Sequence, residues 1–306
     1  RVLAESPDLS LAGQRARRLL GIDLPRWHYS MLHDQARVGA YDRAIRATVT
    51  PGSLVLDIGT GSGILAMMAA RAGAGLVIGC ERNAALAQVA EAIVARNGLS
   101  DRVRIFAGEL ADLRVGKELP RRADFAISEI LGANLLDEGV LPSMATARRD
   151  LLKADAPSVP RRGVIHVGLV RAERGFRRPV DRVVGFDLRD FNVMGPPFHV
   201  AMLVPPDALL SDAAEFCSID LSGHEVLSDA CMSVDVHVRQ TGDAVGVLQW
   251  WEAELAEGVW LSTSPQAGSI SWGQCFTPFD APMPVTAGQT VTVHGWRSLD
   301  QVLLWV

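Results

Sequence analysis

The stretch Leu54 to Ala74, LVLDIGTGSGILAMMAARAGA, restricts this chain to a narrow set of folds. Leu54 to Asp57 reads as a buried strand, the glycines as a tight turn and Ile64 to Ala72 as a helix. Such a strand–loop–helix unit brings backbone N–H groups and a helix N-terminus close to a ligand at the end of a parallel strand. The glycine spacing then selects among ligands. A dinucleotide fingerprint runs G-x-G-x-x-G. Here Gly59, Gly61 and Gly63 run G-x-G-x-G, Ile64 stands where the third dinucleotide glycine would fall, and Asp57 precedes the first glycine by two residues.

The alternation continues downstream. Leu76 to Gly79 is a second strand ending in Cys80 and Glu81, and Glu81 follows Gly63 by 18 residues. A carboxylate there offers two acceptor oxygens to a pair of ribose hydroxyls, at the spacing of ~20 expected for that role. Ala84 to Asn97 is a helix closed by Asn97-Gly98, and Val103 to Ala107 a third strand. Glu109 and Leu110 follow it, where an adenine can be gripped, and Asp124 leads into a fourth strand, Phe125 to Ser128. The pattern predicts a parallel, doubly wound sheet with its ligands at the strand C-termini. Upstream, Met31, Leu32, Val38, Tyr41, Ile45 and Val49 approximate one helical period that stops at Pro51-Gly52. Alone, that pattern is an amphipathic helix with His28, Asp34 and Arg37 on its wet face. LAGQRARRLL, nearer the start, also reads as helical.

The fourth strand runs into SEILGANLLDE, which places Glu129 and Glu138 nine residues apart. A loop that folds back at Gly132 brings the two acids together. Two like charges held close are costly unless a cation sits between them or one takes a proton. The bland alternative is a solvated loop acid and a helix-start acid favoured by the macrodipole.

Past Pro157–Arg162 the text changes to alternating, β-branched runs: VIHVGLV, SVDVHVRQ, AVGVLQWWEAEL, QTVTVHGW and QVLLWV. These predict an antiparallel sheet or barrel, with a Pro-containing insertion around 186–215. With 306 residues, 48% of them hydrophobic, the chain can bury a large core in two domains or one large one. Its 30 basic and 35 acidic residues give a net charge of -5, which argues against a general nucleic-acid binder. Cys80, Cys217, Cys231 and Cys275 lack metal-ligand or disulfide spacing. No leader opens the chain and no apolar run approaches the ~20 residues of a membrane span, so a cytoplasmic location is expected.

WHYSMLHDQAR, the D-x-G-x-G-x-G loop, SEILGANLLDE, GVLPS and LSTSPQAGSISWGQ together resemble the protein arginine N-methyltransferases. Within them the chain is most similar to the monomethylating, type III branch and to bacterial enzymes that methylate free L-arginine in natural-product (streptozotocin-type) biosynthesis. The resemblance spans about residues 27 to 306. It implies a class I methyltransferase α/β fold with a Rossmann-like parallel sheet, followed by a C-terminal antiparallel β-barrel. The corresponding divisions are a helical segment over 1–50 closing the cofactor site, an S-adenosyl-L-methionine domain over 51–160, and a barrel over 161–306 with an arm-like insertion near 186–215.

By the same resemblance, Glu129 and Glu138 are the catalytic carboxylates. Arg37 binds the cofactor's methionine carboxylate, His28 touches the cofactor, and Glu81 takes the ribose. Asp57, Gly59, Gly61 and Gly63 form the cofactor loop, and Glu109 and Leu110 the adenine region. Met31, Ser271 and Trp272 fall at the arginine pocket. The chain departs from the family where Ile270 and Ser271 replace the Thr and His of a Thr-His-Trp loop, leaving Ser271 as the donor available to Asp34. Ile130, Leu131 and Ala133 are smaller than the residues that commonly follow the first acid. The implied reaction forms Nω-monomethylarginine without a metal. Free L-arginine is the favoured substrate, protein arginine the alternative, and a homodimer the expected assembly. A nicotinamide oxidoreductase would share the sheet but not the glycine spacing, and a non-catalytic binding protein would be expected to have lost one acid.

Overall fold

A computed structural model describes residues 27–306 apart from 175, 177, 178, 203, 226, 269 and 270. The helix expected within LAGQRARRLL, and Ile270, lie outside the described residues. The single helix expected before the first strand is two helices, α1 (Trp27–His33) and α2 (Gln35–Thr48). Asp34 makes the break. Its backbone is extended and its carboxylate caps α2 by accepting the Arg37 N–H at 3.0 Å. That break turns Arg37 away from solvent, to 3% exposure, and corrects its place on a wet face.

Five strands, β1 (Leu54–Ile58), β2 (Leu76–Glu81), β3 (Val103–Ala107), β4 (Phe125–Ser128) and β5 (Ser158–Val159), form a parallel sheet ordered β3-β2-β1-β4-β5. Helices α3 (Ile64–Arg71), α4 (Ala84–Arg96) and α5 (Val140–Asp150) complete this α/β half. All five residues of β1 are buried, as a central strand covered on both faces requires. The chain turns from β2 on one side of β1 to β4 on the other, and doubly wound sheets take ligands in the crevice outside that switch point. Ile58 pairs with Cys80 on β2 and with Ser128 on β4. The glycine loop, Glu81 and Glu129 therefore leave the sheet at one edge.

Eleven further strands follow: β6 (Arg162–Val170), β7 (Arg182–Val183), β8 (Phe186–Asp187), β9 (His199–Ala201), β10 (Ala214–Asp220), β11 (Ala230–His237), β12 (Gly242–Ala256), β13 (Val259–Ser262), β14 (Gln274–Val285), β15 (Thr290–Arg297) and β16 (Val302–Trp305). They make a six-stranded antiparallel sheet, β10-β6-β12-β14-β9 with β13 on β12, a three-stranded sheet β11-β15-β16, and the β7–β8 hairpin. Among the described residues these pairings close no ring, so the expected barrel is barrel-like only. One reason lies in β14, which meets β9 only over Gln274–Phe276. Beyond that point Pro278, Pro282 and Pro284 supply no N–H to a neighbouring strand.

One buried cluster runs through both halves, from Tyr41 and Leu56 to Trp251 and Leu304. Strand β12 divides its side chains by period two. Trp251 enters this cluster, and its neighbour Trp250 faces a second one with Val170, Leu248 and Phe276. No described helix is long and apolar enough to cross a membrane.

Candidate active site

The glycine loop is built to sit close against its surroundings. Gly59, Gly61 and Gly63 all have positive φ, at 72°, 54° and 80°. A side chain on Gly59 would place its Cβ 2.5 Å from Cγ2 of Ile130, the residue after Glu129. The loop is tied to β2 through the Cys80 carbonyl, which accepts the N–H groups of Gly59 and Thr60, both at 3.0 Å. Glu81 is buried and its carboxylate accepts from Gly61 N at 3.0 Å and from Asn83 N at 2.8 Å. Asp57 has no solvent exposure. Burial pushes its carboxyl up to about 7, against the opposing bond from the Thr60 hydroxyl. His28, at the start of α1, is held below the usual imidazole range by burial, with the Glu81 charge opposing. Glu109 is exposed and precedes a short turn, Leu110–Asp112, whose Leu110 packs half-buried on the core.

Glu129 starts the loop that leaves β4. Its Oε2 accepts from Arg37 Nη1 at 2.5 Å, while Arg37 Nε and Nη2 hold the Met31 carbonyl at 3.2 and 2.6 Å. Its other oxygen, Oε1, is buried and has no hydrogen-bond partner. Burial raises the Glu129 carboxyl to about 8, the Arg37 cation works against that rise, and the Glu138 charge adds to it. Glu138 lies just before Gly139, the N-cap of α5, with its side chain exposed. Its carboxyl is also raised, first by desolvation and then by Asp137, and the Arg82 cation opposes both.

The antiparallel half holds the loop between the acids. Trp272 Nε1 donates to the Leu131 carbonyl at 2.6 Å, and Trp251 Nε1 to the Gly132 carbonyl at 3.0 Å. The two indoles meet edge to face at 5.0 Å, and the Arg37 guanidinium sits 5.8 Å from the Trp272 ring centre. Gly132 leaves room for Asp137, whose Oδ1 would lie 1.8 Å from any Cβ there. Ser271 latches α1 and α2 to this half. Its N–H and hydroxyl donate to Asp34 Oδ2 at 2.7 and 2.8 Å. Although burial pushes Asp34 upward, the bonds from Arg37 and Ser271 hold its carboxyl below the usual range.

Arg37, Met31, Glu129 and Trp272 are thus one constellation, and the cofactor-loop residues with Glu81 a second beside it. Ser271 faces Asp34, and Glu109 stands apart at the sheet edge. The sequence did not reveal that Trp251 and Trp272 donate to the acid loop, or that Tyr41 donates to Ser128 O at 3.3 Å. A pair of tryptophans in β12 was a visible signal for the first only.

Sheet order, glycine loop and buried carboxylate define a methyltransferase of the class I type, and comparisons with known proteins agree. Residues 180–297 match the family model of the arginine methyltransferase oligomerization subdomain, and residues 40–153 that of ribosomal protein L11 methyltransferase. The chain is 34% identical over 295 residues to the arginine N(omega)-methyltransferase of Streptomyces achromogenes subsp. streptozoticus, covering 95% of this chain and 80% of that one. It is 32% identical to protein arginine N-methyltransferase 7 of Mus musculus, spanning 89% of this chain but 45% of that protein. Among solved structures it resembles the Trypanosoma brucei PRMT1 enzyme–prozyme heterotetrameric complex with AdoHcy, with a TM-score of 0.78 and 26% identity over 88% of this chain and 86% of that one. The chain belongs to the arginine N-methyltransferase family, whose methyl donor is S-adenosyl-L-methionine.

Proposed function

We propose that the protein transfers one methyl group to a terminal guanidinium nitrogen of free L-arginine, forming Nω-monomethylarginine. One observation carries this reading: the buried, unpartnered Oε1 of Glu129, beside an Oε2 already bonded to Arg37 and within the field of Glu138. A buried acceptor without a donor is costly, and a ligand N–H removes that cost. Two acids held close need a cation between them or a proton on one of them. A guanidinium is always charged and presents its donors in a planar fork.

The site fits the cofactor through its own donors and acceptors. Gly59, Gly61 and Gly63 would cradle it, Glu81 would take the ribose, Arg37 the methionine carboxylate, His28 a further contact, and Glu109 and Leu110 the adenine side. S-adenosylmethionine supplies an electrophilic methyl group on a sulfonium. Glu129 and Glu138 each accept charge-assisted bonds from the guanidinium, worth roughly 1.5–3 kcal/mol apiece. They draw positive charge toward themselves, so that electron density concentrates on the nitrogen left to attack. Holding that nitrogen in place contributes up to about 7–11 kcal/mol of proximity. Glu138, whose side chain is exposed, gives the released proton its route to solvent. Met31, Ile130 and Trp272 bound the space that limits the product to one methyl group, and Ser271 acts by closing α1 and α2 over the pocket.

Free arginine is favoured over protein arginine because the relative matched over 80% of its own length is named for arginine itself. Arg82, exposed just past the end of β2 with its charge reaching Glu138, is a cation that can take an amino acid's carboxylate. We further propose a division of labour in which the described part of the 1–50 segment, from residue 27, closes the cofactor site, 51–160 bind the cofactor and 161–306 shape the substrate pocket. A homodimer is proposed through the segment around β7 and β8, where Val184, Phe186, Phe191, Val193 and Met194 are 69–91% exposed. Four free thiols fit a reducing, cytoplasmic setting.

Incubation with methyl-labelled S-adenosylmethionine and either free L-arginine or an arginine-rich peptide, read by mass, tests the reading. One methyl group on free arginine is the expected result. Label in the peptide alone reverses the substrate, and label in neither removes the proposal.

A further inference from the structure

We infer that Asn134 is a positioning residue for the two acids, fixing the loop between them through the last strand of the chain. This rests on the reading of Glu129 and Glu138 as the guanidinium clamp. Asn134 lies midway between them and has no solvent exposure. Its carboxamide makes a two-way pair with one backbone residue, Nδ2 donating to the Val302 carbonyl at 3.2 Å and Oδ1 accepting the Val302 N–H at 3.1 Å. Strand β16 is at the edge of its sheet, so among the described residues no strand pairs with the groups of Val302 that face away from β15. The side chain of Asn134 takes the place of that strand. Residues 168 apart in the chain are thereby joined at the loop between the two acids.

The next residue explains why such a clamp is needed. Leu135 has φ of 75° and is fully buried, a left-handed conformation at a residue other than glycine. That state is unfavourable for a residue with a Cβ and persists only where the surroundings over-determine it. Two contacts do so. Asn134 is held on β16, and the Leu135 side chain fills the space over Gly163, where any Cβ would lie 2.6 Å from its Cδ2. Glu129 is fixed directly by Arg37. No hydrogen bond holds the Glu138 side chain among the described residues, so its placement follows from the backbone turn at Leu135. Without the Asn134 clamp the turn relaxes, and Glu138 moves relative to Glu129.

Asn134→Ala is expected to lower kcat about 100-fold, as a displacement of about 1 Å in a positioned group does, with KM for arginine and the dissociation constant of S-adenosylhomocysteine changed no more than about twofold. Turnover within about twofold of the parent overturns the inference. If Asn134→Ala loses cofactor affinity together with turnover, Asn134→Leu decides, since it fills nearly the same space and loses both bonds to Val302. A kcat at least tenfold lower with cofactor affinity intact, roughly 1.4 kcal/mol of lost transition-state stabilisation, supports positioning. Full turnover in Asn134→Leu, or lost cofactor affinity in both variants, overturns it. Glu129→Gln run in parallel separates the two readings. If Glu129→Gln retains turnover the clamp itself fails, whereas an inactive Glu129→Gln beside a normal Asn134→Ala removes only the positioning role.

Discussion

Arg37 donates to Glu129 across 2.5 Å while its other two guanidinium nitrogens hold the carbonyl of Met31. The cation proposed to receive the cofactor carboxylate is therefore already bonded to a proposed catalytic acid, and the cofactor and substrate sites share a group. Arg37→Lys keeps the charge but loses the planar fork. Losing one charge-assisted bond of about 1.5–3 kcal/mol predicts a roughly 10- to 100-fold weaker affinity for S-adenosylhomocysteine by calorimetry. An unchanged affinity would show that Arg37 does not hold the cofactor carboxylate.

The Glu129 carboxyl, raised to about 8 by burial, sets a pH dependence. A guanidinium needs the ionised acid, and a raised pKa leaves the acid protonated at neutral pH. The predicted kcat/KM for arginine rises with pH and levels off above about 8, since kcat/KM reports the free enzyme. Bound substrate cation lowers the same pKa, so the kcat limb falls at lower pH than the kcat/KM limb. A kcat/KM profile flat between about pH 6 and 9 would contradict the assignment.

Trp272→Phe removes the donor to the Leu131 carbonyl and keeps most of the ring that meets Trp251. A buried carbonyl left without its partner costs about 1–3 kcal/mol, readable as a shift in urea denaturation. Because that carbonyl lies two residues from Glu129, kcat is expected to fall further than affinity for the cofactor. Parent-like kcat and stability would show the indole N–H to be dispensable.

Gly59→Ala meets both a positive φ and the side chain of Ile130. The left-handed backbone alone costs roughly 1–2 kcal/mol for a residue with a Cβ. The clash acts on the residue after Glu129, so the variant should lose cofactor affinity and turnover together. Loss of stability with full turnover would separate the glycine loop from the acid loop.

The α/β half was legible because its period changes and glycine spacings are local properties of the chain. Asp57, Glu81 and Glu129 are assignable to one edge from the sequence, since parallel strands deliver their C-termini together. Other features depended on contacts distant in sequence. Asp34 interrupts what reads as one apolar period, and only its capping bond to Arg37 shows why that arginine turns inward. Strand β14 was hidden by Pro278, Pro282 and Pro284, residues tolerated there because β9 leaves that edge uncovered. The join of Asn134 to Val302 has no local signature, as a buried Asn in a loop looks like any polar turn residue.

The central claim is that Glu129 and Glu138 clamp a guanidinium, and Glu129→Gln tests it most directly. The substitution keeps the shape and removes the charge. Single-turnover methylation of L-arginine should fall below detection while S-adenosylhomocysteine still binds with near-parent affinity. Methyl transfer at close to the parent rate, with that affinity intact, would contradict the account.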